Sequence, residues 1–159
     1  MTSKLTTESG YMNIIVGLID ILEEVNGIEV TGDFIYTNFY RMGERLGKKF
    51  DTGKDPQTAM KEFIEYIKPL LDIEIINEYS IENEYKAEIK INNCLIKELC
   101  KQQGWNIKHT LCKSSHGFIE GAISSIMGKH LNFNISIADW DVCHGTMELK
   151  EKHDIFDFI

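Results

Sequence analysis

Apolar residues recur every three or four positions along the first part of the chain, which is typical of helices that bury one face. The pattern predicts three helices, with apolar stripes over Tyr11 to Val25, Ile35 to Phe50 and Met60 to Leu71. The first stripe is wide, so its helix is expected to be well buried. Asp33 marks the expected start of the second helix, and Asp55 with Pro56 is a cap and first-turn pair for the third.

The apolar period then changes to two, which is the period of strands. Two strands are predicted, Ile73 to Ile81 and Tyr85 to Ile91, and the polar residues Glu82 to Glu84 between them indicate a hairpin. Polar residues alternate with the apolar ones along the second strand. We therefore expect an antiparallel sheet with one face in water and one face covered by helices.

The last third of the chain adds two predicted helices and two predicted strands. These are a short helix from Cys94 to Gln103, a helix that begins between Cys112 and Ser115 and ends at Gly128, and strands over Leu131 to Ile137 and Thr146 to Leu149. The predicted fold class is α+β, with N-terminal helices packed on an antiparallel sheet of about four strands, and residues 1–159 form a single domain. Residues 1–10 are expected to be a flexible tail, and residues 151–159 either to dock or to stay flexible.

Two pairs of glycines have a spacing of four residues, Gly43 with Gly47 and Gly117 with Gly121. On a helix this spacing leaves one face without side chains, so another backbone can approach closely. For the first pair, packing within the chain is the favoured interpretation and a dimer contact is the alternative. For the second pair, close packing on the sheet is favoured over a flat ligand.

Composition and motifs narrow the classes of function. The chain has 17 Lys and Arg against 25 Asp and Glu, for a formal net charge of −8, so its field repels phosphate backbones and a nucleic-acid partner is not expected. No apolar run approaches the ~20 residues of a membrane span, and the N-terminus lacks the pattern of a secretory signal, so a cytoplasmic location is predicted. No motif for a nucleotide cofactor or for a common hydrolase is present.

Side chains that bind metals gather in two compact segments of the last third. Cys112 and His116 are one helical turn apart and can face the same point. Cys143 or His144 can complete such a site from a strand, although neighbouring strand residues face opposite ways and only one of the two fits. The candidate metal ligands are Cys112, His116, Cys143, His144 and Asp139, with Asp141 as a further choice. The alternative is that the cysteines pack as small hydrophobes; Cys94 and Cys100 are interpreted in that way, and His109 as an isolated surface or loop residue.

The segment from Cys112 through Gly117, Gly121 and Gly128, followed by the strand to Ile137, resembles the vinyl-4-reductase domain family, also called hydrocarbon-binding proteins. The resemblance implies a fold like that of vesicle-tethering TRAPP subunits, and commonly a homodimer. Family members include sensor domains that bind small aromatic compounds and a proposed reductase of tetrapyrrole vinyl groups.

The resemblance also implies zinc in the sensor branch of the family. There, one Cys before the helix, a Glu and two Cys near the last strands hold the ion. Cys112 and Cys143 match two of these ligands. The expected Glu and its partner Cys have no counterpart, since an alignment without shifts reaches Ile135 and Ala138.

The favoured function is therefore a dimeric module that binds a small hydrophobic or aromatic molecule in an apolar pocket between the helices and the sheet. The predicted lining residues are Phe39, Met42, Phe63, Ile67, Phe118, Ile123 and Phe133, with His116 or Trp140 as a polar anchor. One alternative is a vinyl reductase that takes electrons from an external donor, because no nucleotide motif is present. Another is a scaffold for protein assembly, as in the tethering complex.

Overall fold

A computed structural model describes residues 6–81 and 84–150 of the chain. Its helices are α1 (Thr7–Asn26), α2 (Ile28–Gly47), α3 (Pro56–Ile67), α4 (Leu95–Gln103) and α5 (Cys112–Met127). Its strands are β1 (Leu71–Ile81), β2 (Glu84–Cys94), β3 (His130–Ile137) and β4 (Cys143–Lys150), and they pair antiparallel in the order β1-β2-β4-β3. The predicted α+β class is confirmed. The hairpin turn at residues 82–83 and the predicted tail at residues 151–159 lie outside the described residues.

The first two helices begin earlier than predicted. Thr6 caps α1 in a reciprocal capping box with Ser9, so the tail expected over residues 1–10 is helical from Thr7 onward. The second helix begins at Ile28 and not near Asp33, because Gly27 alone separates α1 from α2. Gly27 has a φ of 80°, which a residue with a Cβ rarely adopts, so the chain turns there without a longer loop.

The main hydrophobic core lies between one face of the sheet and the helices α3 and α5. Residues from all these elements are almost completely removed from solvent, among them Met60, Phe63, Tyr85, Ile123 and Met147. Alternate residues of β2 on the opposite face are exposed or half-exposed. The sheet thus has the predicted wet face, and burial of the other face drives the helices onto it.

The four paired glycines bring α2 and α5 into backbone contact. A Cβ on Gly43 would overlap the carbonyl group of Phe118, and a Cβ on Gly121 would overlap the carbonyl group of Tyr40. Packing within the chain is therefore confirmed for the first pair. The second pair also packs within the chain, but its partner is the helix α2 and not the sheet.

A buried carboxylate ties this helix pair to the sheet. Glu120 of α5 is buried, and its two oxygens accept hydrogen bonds from the Tyr36 hydroxyl of α2 and from the Phe133 N–H of β3, the latter at 2.8 Å. Burial and the neighbouring Glu120 raise the pKa of Tyr36. Glu120 thereby holds β3 against the two helices at Phe133. This contact fixes the position of Phe133.

The helix α1 has two apolar faces. One face packs on its own domain through Met12, Val16 and Ile19. The other face, here called the outer seam, is exposed and consists of Tyr11 (64%), Ile14 (61%), Leu18 (56%), Ile21 (57%) and Val25 (75%). Ile15 and Leu22 are exposed as well, so the prediction of a well buried helix is wrong for seven of the ten apolar residues from Tyr11 to Val25 within a single chain. None of the helices among the described residues combines the length and hydrophobicity of a bilayer-spanning segment.

Candidate functional site

A cleft of about 480 Å³ lies where the first turns of α2 and α5 meet the ends of the sheet. Its volume falls within the roughly 300–1,000 Å³ of small-molecule sites. The apolar part of its lining comes mainly from Leu71, Ile91, Ile107, Phe133 and Ile135. The lining also includes three thiols and several ionisable groups, among them Cys94, Cys112, Cys143, Glu29, Asp33, Lys97, His109 and His116.

The segment between α4 and α5 builds one wall of the cleft. Gly104 ends α4 in the left-handed conformation, and Trp105 then stacks flat on His109 with 4.1 Å between ring centroids. The Nδ1 atom of His109 accepts the Leu111 N–H at 3.2 Å, and its Nε2 atom lies 3.7 Å from a Glu23 carboxylate oxygen on α1. His109 was expected to be an isolated surface or loop residue. It does lie in a loop, but it is not isolated, because it lines the cleft and faces Glu23 of α1.

His116 presents a neutral imidazole to the cleft. Its ring lies edge-on to Phe133 at 5.0 Å between centroids. Burial, with a smaller contribution from Lys113, lowers the pKa of His116 to about 4. At neutral pH one ring nitrogen therefore donates and the other accepts. Among the described residues, neither ring nitrogen has a hydrogen-bond partner in the protein. Both are available to a ligand.

The lowered pKa of His116 predicts a stability that falls on acidification. Because the folded state resists protonation of this ring, its contribution is complete above the unfolded pKa of about 6.5 and is lost as pH falls toward 4. We expect a loss of about 2 kcal/mol between pH 7 and pH 4.5, after allowance for the part of the ring that reaches solvent. Urea denaturation of wild type and His116→Phe at both pH values measures it. The expected result is a smaller pH difference in the variant, and equal differences would contradict the prediction.

The Cys94 and Cys112 thiols of the cleft are held as neutral groups. The Cys112 thiol donates to the Ile107 carbonyl at 3.4 Å, and the Cys143 thiol donates to the Asp139 carbonyl at 3.6 Å. Burial raises the pKa of Cys112 to about 12 and also raises the pKa of Cys94. Thiols in this state are poor nucleophiles at neutral pH.

Comparison with known proteins gives structural neighbours but no family. No family model matches the chain, and no curated protein matches it. The crystal structure of the phenol-responsive sensory domain of the transcription activator PoxR with phenol is similar, with 15% identity, a TM-score of 0.70, and coverage of 87% of this chain and 73% of that chain. So is the trafficking protein particle complex subunit 3 from Naegleria fowleri covalently bound to palmitic acid, with 17% identity, a TM-score of 0.57, and coverage of 89% and 92%. The chain has the fold of these two proteins. At these identities the likeness concerns the fold alone, and it confirms the TRAPP-subunit-like architecture.

The candidate metal ligands do not meet at one point. Cys112, His116 and Cys143 line the cleft, whereas His144 is exposed on the outer face of the sheet, as the alternation of strand residues requires. Asp139 is exposed in the loop after β3, where a carboxylate oxygen accepts the Asp141 N–H at 3.0 Å. Within residues 6–81 and 84–150, no group of three or more His, Cys, Asp or Glu is arranged to hold a metal ion. The residues as they stand do not fit a zinc site, and zinc stays a prediction of the resemblance.

The structure separates the predicted ligand-binding residues into several places. Only His116 and Phe133 line the cleft. Phe63, Ile67 and Ile123 lie in the closed core with Phe118 beside them. Phe39 packs against the smaller apolar cluster that contains Ile19 and Leu99. Met42 is exposed on α2, and Trp140 is exposed in the β3–β4 loop. The reason is physical: apolar positions at helix and strand spacing fill a core and line a cleft equally well.

Sequence reasoning did not assign Cys94, His109 or Lys97 to a binding site. Cys94 was interpreted as structural and His109 as isolated, and Lys97 was not singled out. Cys94 follows the predicted second strand closely, but its nearness to Cys143 depends on the pairing of β2 with β4, which the apolar pattern does not specify. For Lys97 there was no signal, because its burial depends on a loop that is distant in sequence.

Proposed function

We propose that this protein is a small-molecule binding module of the vinyl-4-reductase type, which holds a hydrophobic or aromatic ligand in the cleft. The observation that carries the proposal is the pairing of an apolar lining with a neutral His116 whose ring nitrogens have no protein partner among the described residues. Such a site favours a ligand with one apolar body and a polar group, because convergent polar atoms in an apolar pocket fix orientation.

The residues that line the cleft indicate which contacts a ligand would make. An aromatic ring can pack against Phe133 and the aliphatic side chains of Leu71 and Ile91. A hydroxyl on that ring can donate a hydrogen bond to one His116 ring nitrogen or accept one from the other, which satisfies the imidazole without protonating it. The similar sensory domain of PoxR was crystallised with phenol, and this supports a small aromatic ligand here.

Isothermal titration with phenol tests the proposal. We expect binding to the wild type and at least about tenfold weaker binding to Ser115→Phe, because Ser115 lines the cleft and a phenyl group there would occupy ligand space. Ser136→Phe is the matched control, since Ser136 is exposed on β3 and does not line the cleft. Its affinity should equal that of the wild type. Equal affinities for all three proteins would place phenol outside the cleft, and an absence of binding to the wild type would contradict a phenol-type ligand.

We further propose that two copies of the chain associate through the outer seam of α1. Its residues are spaced alternately three and four positions apart from Tyr11 to Val25, which is the heptad spacing of helices that pack against each other. A row of five large apolar side chains is exposed along one helix, and soluble monomers rarely leave such a row in water. A second copy presents the same row, so a two-fold axis pairs the two helices. The homodimer implied by the resemblance would use this surface.

A further inference from the structure

Lys97 is a buried cation on the wall of the cleft. It is the third residue of α4, its side chain lines the cleft, and it is only 5% exposed. Its ammonium group donates one hydrogen bond, to the backbone carbonyl of Asp141 at 2.8 Å. An ammonium group carries three donors, so this single bond leaves most of its hydrogen-bonding capacity unused.

The charge of Lys97 has no counter-ion within the described residues. No carboxylate lies within ion-pair distance of it, and the group it contacts on Asp141 is a neutral carbonyl. The cleft also contains Glu29 and Asp33 of α2, and neither forms an ion pair with it. The neighbouring Cys94 thiol does not supply the charge either, because burial raises its pKa. An unpaired buried charge is costly, so its environment favours an anionic partner.

Apolar side chains line the same cleft as Lys97. Ile91 and Cys94 at the end of β2 and Phe133 on β3 line the same cleft, and His116 adds a neutral ring. The other cleft lysines, Lys108 and Lys113, are exposed and can be neutralised by water and salt. Among the described lysines that line the cleft, Lys97 alone is shielded from solvent, and it shares the cleft with the surface on which an apolar ligand would lie.

We propose that the physiological ligand is a small apolar carboxylic acid, whose carboxylate pairs with the Lys97 ammonium while its apolar part covers Phe133 and Ile91. This inference rests on the proposed function, since it assumes that the cleft is the binding site. It names the ligand class more narrowly than a hydrophobic or aromatic molecule. A charged hydrogen bond in a site shielded from water gives an acid an advantage over the matching neutral alcohol.

The test compares 4-phenylbutyrate with 4-phenyl-1-butanol by isothermal titration at pH 7. In the wild type we expect the acid to bind at least about tenfold more tightly than the alcohol, which is the range of one hydrogen bond to a charged group. Lys97→Met keeps the length of the side chain and removes the charge, so the ratio should fall to about one or below. Lys101→Met removes an exposed lysine charge from the same helix, outside the cleft lining, and should preserve the ratio. Raising the salt concentration should change the wild-type ratio little, since the pair is buried.

The outcomes separate this inference from the proposed function. Equal binding of acid and alcohol to the wild type, or an unchanged ratio in Lys97→Met, overturns the carboxylate assignment and leaves the cleft as a binding site. Binding of phenol or of the alcohol without binding of the acid does the same. Failure of all three compounds to bind overturns both proposals. The wild-type ratio decides the matter even where Lys97→Met does not fold.

Discussion

Replacing Gly121 by alanine is expected to lower the free energy of unfolding by about 3 kcal/mol or more, because the new methyl group would overlap the Tyr40 carbonyl of α2. The obstacle is backbone and not a flexible side chain, so the helices must separate to make room. Separation would also pull Tyr36 away from Glu120 and leave that carboxylate buried with one partner fewer. Urea denaturation followed by circular dichroism measures the loss.

Gly17→Ala is the matched control for this substitution. Gly17 is also inside a helix, but a Cβ there would meet no atom within 4 Å. Alanine should therefore stabilise α1 by about 0.5–1 kcal/mol through its helix propensity. A Gly121→Ala protein that unfolds at the same urea concentration as the wild type would be inconsistent with backbone contact between α2 and α5.

The glycine pairs show which features of this fold can be predicted from the sequence. Gly43, Gly47, Gly117 and Gly121 were recognised as surfaces for close approach from their spacing alone. The sequence did not decide which element packs against these faces, and for the second pair the sheet was the favoured partner. A spacing of four residues indicates that one helix face lacks side chains, but it does not indicate which element packs against that face. The two bare faces cover each other here, and only the tertiary arrangement reveals this.

The binding site could be predicted from the sequence less well than the fold, for a related reason. The segment that begins at Cys112 was singled out from the sequence, and His116 and Phe133 do line the cleft. Phe63 and Ile123 carry the same pattern and are in the closed core. A pattern of apolar positions specifies which residues avoid water, but it does not specify the volume left between them. That volume depends on how the segment from Trp105 to Leu111 folds back.

The wrong prediction of burial for the exposed side of α1 has a similar explanation. Its apolar positions cover two faces, and a stripe of that width predicts burial on both. The domain buries the face of Val16 and Ile19, and the outer seam has no partner among the residues of one described chain. Sequence alone cannot distinguish a face that packs within a chain from a face that packs between two chains, because both require the same apolar residues.

Leu18→Glu is expected to convert the proposed dimer into a monomer. Leu18 is in the middle of the outer seam, and a two-fold axis would bring a carboxylate from each copy into the same apolar contact. Burying these charges without partners should weaken association by at least about a hundredfold. Sedimentation velocity at micromolar concentration measures the change, with the wild type sedimenting as a dimer and the variant as a monomer.

Asn13→Glu is the control for this variant, since it adds the same charge to an exposed position of α1 that is not in the outer seam. It should sediment as the wild type does. Because Leu18 is exposed in the single chain, Leu18→Glu should change the stability of the monomer by no more than about 0.5 kcal/mol, so loss of the dimer would not reflect loss of the fold. A wild type that stays monomeric at high concentration would contradict self-association, and a dimer that survives Leu18→Glu would place the contact on another surface.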